Sequence, residues 1–105
     1  MVEIFFEVET PLGFSVRCTQ QHWDFIVSVK HPAMVGQEGI VRQVIEDPEE
    51  IRNSCKDERV LLFYRRQGER YVCAVVRRPN GDAFLITTYP TDAIKAGEVR
   101  WTRSK

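Results

Sequence analysis

Val60-Leu-Leu-Phe-Tyr-Arg-Arg66, Arg70-Tyr-Val-Cys-Ala-Val-Val-Arg-Arg78 and Phe84-Leu-Ile-Thr-Thr-Tyr89 decide the fold class. All three are rich in β-branched and aromatic residues, and each is bounded by a turn signal: Gln67-Gly68 after the first, Pro79-Asn-Gly-Asp82 after the second. Asn80-Gly81 is the strongest short hairpin signal in the chain. The middle segment is apolar on both faces, with Tyr71, Cys73 and Val75 alternating with Val72, Ala74 and Val76. That pattern places it at the centre of a sheet. The three segments predict an antiparallel meander, and Glu98–Thr102 predicts a fourth, edge strand carrying Trp101.

Upstream of the meander the period changes. Val2, Ile4, Phe6 and Val8 alternate with Glu3, Phe5, Glu7 and Glu9, as in a half-buried strand. Thr10-Pro-Leu-Gly13 turns the chain and Phe14–Cys18 returns it, so residues 2–18 predict a hairpin. Thr19 is a suitable N-cap for a helix over 20–30 with Trp23, Ile26 and Val27 inward, ended by Pro32. Ile40, Val41, Val44 and Ile45 predict a second amphipathic helix over 36–46. Asp47-Pro48-Glu49-Glu50 has an N-cap, a proline at the first helical position and acids in the first turn, which predicts a helical turn over 48–53 ending at Arg52. Thr91–Ala96, ended by Gly97, predicts another. The expected fold is therefore α+β: an N-terminal hairpin, two to three helices, then a meander of about four strands packed against them.

A chain of 105 residues is one domain and buries roughly two-thirds of its unfolded surface. With 43% hydrophobic residues it has enough apolar material to fold. No apolar run reaches the ~20 residues of a membrane helix, and no membrane association is expected. The start of the chain lacks the pattern of a secretory signal. Cys18, Cys55 and Cys73 are few, odd in number and widely spaced, which argues against a disulfide framework and for a reducing cytoplasm. Cys18 and His22 form one candidate metal-ligand pair without a second, so no metal or other cofactor is expected.

The net charge is zero, but it is divided. Residues 1–58 hold five Lys and Arg against eleven Asp and Glu; residues 59–105 hold ten against four. The basic half is a potential phosphate-binding surface. Equally, the two halves can neutralise each other. No Gly-x-Ser-x-Gly, glycine-rich phosphate loop, His-Glu-x-x-His or Cys-x-x-Cys occurs. The remaining chemistry lies in His31 at a helix end, where the dipole favours positive charge; in Arg52; in Tyr64, Arg65 and Arg66; and in Thr87 and Tyr89, two residues apart on one strand face. These residue types suit metal-free phosphodiester cleavage: His and Tyr transfer protons, Arg clamps phosphate and Thr donates a hydrogen bond.

Several strings resemble one family. They are His31-Pro32, Gly36-x-Glu38, Val41-Arg42 and Asp47-Pro-Glu-Glu-Ile-Arg52, followed by Leu62-Phe-Tyr-Arg65, Arg70-Tyr-Val-Cys73 and Phe84-Leu-Ile-Thr-Thr-Tyr-Pro-Thr-Asp92, with Lys95-x-Gly97-Glu98-x-x-Trp101 last. Over roughly residues 19–101 the chain resembles phage- and prokaryote-associated domains of the barnase/EndoU/colicin/RelE-like nuclease fold. The resemblance implies helices followed by a four-stranded antiparallel sheet. It also implies a metal-independent ribonuclease, a toxin or phage-associated effector, leaving a 2′,3′-cyclic phosphate. His31, Arg52, Thr87 and Tyr89 would be its catalytic residues, with Tyr64, Arg65 and Arg66 binding substrate. RNA and an antitoxin or immunity protein are the expected partners. The alternatives are a non-catalytic RNA- or protein-binding module of the same fold, and a small structural homodimer joined through an edge strand.

Overall fold

The structure, a computed structural model, describes residues 3–95 and 97–103. Its strands are β1 (Ile4–Glu9), β2 (Ser15–Thr19), β3 (Glu50–Asn53), β4 (Val60–Gln67), β5 (Arg70–Arg77), β6 (Ala83–Thr91) and β7 (Val99–Thr102). Its α-helices are α1 (Gln20–Phe25) and α2 (Glu38–Glu46). All seven strands join one sheet in the order β1-β2-β6-β5-β4-β3-β7. The α+β class, the N-terminal hairpin and the central place of β5 agree with the sequence. The sheet has more strands than expected because the hairpin joins it, β2 pairing in parallel with β6 through Val16–Ala83 and Arg17–Phe84.

Alternation along the strands gives the sheet two faces. One bears Phe6, Val8, Val16, Ile51, Phe63, Ala74, Val76 and Leu85, and packs on Trp23, Ile26, Val41, Val44 and Ile45 from the helices. Each buried Val, Leu, Ile or Phe among them contributes about 1.5–3 kcal/mol by leaving water. Helix α2 touches β5, β4 and also β1, so the sheet curls around it. The opposite face carries a smaller cluster of Leu62, Tyr64 and Cys73, flanked by Val60, Tyr71, Val75, Tyr89 and Ile94.

The helices differ from expectation in instructive ways. Thr19 does cap α1, its Oγ1 accepting from the His22 amide at 3.1 Å. The α-helix then widens into a π-helical turn over Ile26–Lys30, in which the His31 amide donates to the Ile26 carbonyl five residues back at 2.8 Å. Pro32 ends it, as the sequence indicates. The expected turn over 48–53 is instead strand β3. Ile51 lies between Phe63 of β4 and Trp101 of β7, and two flanking strands outweigh an N-cap signal on a segment too short to hold a helix alone. Asp47 starts no helix here: it closes α2, its amide donating to the Gln43 carbonyl at 2.8 Å, and its carboxylate receives Arg65 and Arg103. The expected turn over 91–96 is not helical in its described part, because β6 runs on to Thr91 and the chain then bends; Ala96 lies outside the described residues. Val2, placed in the first strand by its alternation, also lies outside them. A bulge between Ile4 and Phe6 breaks that alternation, leaving Ile4 exposed while Phe6 and Val8 are buried.

The link from β6 to β7 positions the site. These strands lie four places apart, so the chain between them, described at residues 92–95 and 97–98, crosses the open face diagonally. The Lys95 amide donates to the Tyr64 hydroxyl at 3.2 Å, and the Asn53 amide donates to the Glu98 carbonyl at 2.8 Å. Gly97 makes the descent possible: its φ is +156°, and a Cβ there would overlap the Asn53 carbonyl oxygen.

Candidate functional site

The register of β5 and β6 decides which side chains meet. Arg77 pairs with Phe84 and Val76 with Leu85, but Val75 pairs with Thr87, so Ile86 is an extra residue. This bulge reverses the facing of everything after it. Without it Thr87 and Tyr89 would point at the helices; with it they join Tyr64 and Cys73 on the open face. His22 of α1 holds the bulge, its Nε2 lying 2.8 Å from the Ile86 carbonyl oxygen. A carbonyl only accepts, so this nitrogen carries the hydrogen.

Beyond Phe84, β2 no longer accompanies β6, and the chain over residues 26–34 lies along the edge that β2 leaves. That brings His31 round to the open face. Its ring centroid is 5.4 Å from that of Tyr89. The crossover brings Lys95 to the same ring, its Nζ 5.3 Å from the centroid. His31 and Tyr89 are half-buried and Lys95 is exposed, so the group is open to solvent.

Beneath it lies a linked polar layer. Cys73 pairs with Tyr64 on one side and Tyr89 on the other, and both phenols interact with its thiol. Burial pushes the Cys73 thiol up to about 11, against the pull of the two hydroxyls and of the Lys95 charge. Tyr64 is pushed up to about 12, first by burial and then by Cys73. Burial, with Cys73 again, also raises Tyr89. Both phenols therefore keep their protons at neutral pH and act as hydrogen-bond donors rather than bases. Thr87 Oγ1 is buried with no hydrogen-bond partner among the described residues.

The structure thus gathers four of the predicted residues, His31, Tyr64, Thr87 and Tyr89, on one face. Arg52 reaches the same face from β3, but its guanidinium is engaged by the Glu50 carboxylate and lies 3.4 Å from the carbonyls of Lys95 and Gly97. It fastens the crossover. Arg65 does not join the group: it shares the helix-covered face with Phe63 and binds Asp47 at 3.2 Å. Arg66 is on the open face but stacks on Tyr71, 5.5 Å from its centroid. Lys95 and Cys73 are the members that sequence reasoning missed. Cys73 had a usable signal, because a two-residue turn at Gly68-Glu69 fixes its pairing with Tyr64. Lys95 had none, since its place depends on the crossover.

Elsewhere the charged halves of the chain partly neutralise each other through Arg17–Asp82, Arg65–Asp47 and Arg103–Asp47. Among the described residues no three His, Cys, Asp or Glu side chains are grouped so as to hold a metal ion, and no helix is long and apolar enough to cross a membrane. The chain matches no family model, no curated protein and no solved structure.

Proposed function

We propose that this chain is a metal-independent RNA-cleaving domain of the barnase/EndoU/colicin/RelE-like kind, acting as a toxin or phage-associated effector. The observation that carries the reading is the meeting of His31, Tyr89 and Lys95 at one solvent-open point. His31 takes the proton of the 2′-hydroxyl. Lys95 stabilises the negative charge that grows on the phosphate. Tyr89 is a poor proton donor with its raised pKa, so its part is to position His31. Thr87, with a hydroxyl that no group among the described residues takes up, supports the floor of the site. Attack of the 2′-oxygen on phosphorus breaks the bond to the 5′-oxygen, which leaves with a proton taken from water at the open site, and a 2′,3′-cyclic phosphate remains.

The test is cleavage of RNA in EDTA with the product ends mapped. Wild type should yield cyclic phosphate ends, and His31→Ala should be slower by roughly 10²–10⁴-fold. A His31→Ala rate within a few-fold of wild type removes His31 from the chemistry.

The second reading is a non-catalytic module that binds RNA or an acidic protein such as an antitoxin through the same face. The engagement of Arg52 by Glu50 favours it over cleavage, as does the turning of Arg65 towards Asp47, because neither cation is then free to stabilise a reacting phosphate at His31. Binding of RNA without cleavage across several sequences would select it.

A further inference from the structure

Where β2 and β6 part, the open face splits into a cleft of about 560 Å³. It is lined by Ile4, Arg17, Thr19, His22, Arg77, Phe84 and Ile86, with Cys18 and Leu85 at its floor. This volume is in the range of small-molecule sites, which combine apolar walls with a few placed polar groups. Phe84 is 45% exposed on its wall. In the sheet it stands between two arginines, one on each neighbouring strand. Arg17, paired with it across β2, lies 5.5 Å from its ring centroid and is held there by Asp82 at 2.8 Å. Arg77, paired with it across β5, is exposed and is not in an ion pair with any described carboxylate. At the closed end stands His22, with Nε2–H committed to Ile86.

An aromatic ring and a fixed guanidinium plane are the two surfaces on which nucleobases stack, and an uncommitted arginine at the rim is a phosphate ligand. We propose that this cleft binds a nucleotide, its base against Phe84 and Arg17 and its phosphate on Arg77. The inference deepens the RNA reading and rests on it for the source of that nucleotide: Phe84 and Tyr89 lie on the same strand, roughly 16 Å apart at the rise of a β-strand, so one single strand reaches both. A free mononucleotide offers the same chemistry.

The test uses a labelled single-stranded 2′-O-methyl oligoribonucleotide, which binds but has no 2′-hydroxyl to attack, and follows its fluorescence anisotropy. Phe84→Ala and Arg77→Ala should each weaken binding roughly tenfold. Lys56→Ala, a charge removed from the exposed loop between β3 and β4, should change it less than twofold. Unlabelled adenosine monophosphate in competition identifies the source. Displacement at millimolar levels points to a free nucleotide, and its absence to a strand. The proposal is overturned if neither probe binds, if all three variants weaken binding equally, or if the cleft takes up a fluorescent fatty acid that nucleotides do not displace. Both cleft variants remove exposed side chains, and an unchanged thermal midpoint confirms that they fold. Failure here with cleavage intact leaves the nuclease reading standing. Binding here without cleavage removes that reading and keeps this one.

Discussion

Thr87 shows how a single atom separates structure from function. Its Oγ1 is buried without a partner among the described residues, and an unsatisfied buried hydroxyl costs about 1–3 kcal/mol. Thr87→Val keeps the branched shape and removes the hydroxyl, so stability should be unchanged or higher by up to about 1 kcal/mol. Urea melts measure this, and a clear loss of stability would mean that the hydroxyl is bonded after all. If Thr87 serves the site, the same variant loses activity while gaining stability. The cysteines allow a second prediction at this scale. A thiol reacts as its thiolate. Cys18 is pushed up to about 12 by burial and Cys73 to about 11, whereas Cys55 is exposed. At pH 8, Cys55 should react with a disulfide reagent within seconds to minutes, and Cys18 and Cys73 only after denaturant is added. Three equally fast thiols would contradict the buried positions of both.

At the scale of elements, the crossover from β6 to β7 is the part most dependent on one residue. Gly97→Ala places a methyl group on the Asn53 carbonyl, in a backbone region that alanine disfavours. Strain of this kind costs of order 1–3 kcal/mol. Relief would come from lifting the crossover, which also carries Lys95 and the carbonyls facing Arg52. The variant should therefore lose stability by about that amount and lose most of its cleavage, while keeping the rest of the sheet. Amide exchange would locate the change in β7, β3 and the Tyr64 region. Uniform loss of protection across all strands would show instead that β7 is integral to global stability. Strand β3 shows the reverse case, in which neighbours rather than local signals set the conformation. Asp47-Pro48-Glu49-Glu50 has every mark of a helix start, yet the Glu49 amide donates to the Tyr64 carbonyl and the chain continues as a strand between β4 and β7.

For the whole molecule, four groups share one pH dependence. Cys18, Cys73, Tyr64 and Tyr89 all have pKa values raised by burial. In the unfolded chain they ionise near their ordinary values, about 9 and 10. Above those values the unfolded state loses protons that the folded state retains, so the proton balance favours unfolding. The stability these groups contribute is complete below about pH 9 and falls as the pH rises towards 11–12. The urea midpoint should drop between pH 8 and pH 10.5, and Cys18→Ala should lessen the drop. A midpoint independent of pH over that interval would contradict the burial of all four.

The sequence by itself determined the α+β class, the opening hairpin, α2 and the meander of β4, β5 and β6. These rest on local periodicity and turn chemistry, which are written in consecutive residues. It also picked out His31, Arg52, Tyr64, Arg65, Arg66, Thr87 and Tyr89 as candidate site residues. Only the tertiary structure decided that His31, Tyr64, Thr87 and Tyr89 share one face. Thr87 and Tyr89 face Cys73 because of a bulge at Ile86, and that bulge is held by a histidine 64 residues away. His31 reaches Tyr89 because β2 leaves β6 early. Lys95 joins them because β7 pairs beyond β3 and draws the crossover over the open face. Likewise Arg65 was lost to the other face through strand alternation and the position of Asp47. Each of these outcomes depends on contacts between distant segments, and no window of neighbouring residues carries that information.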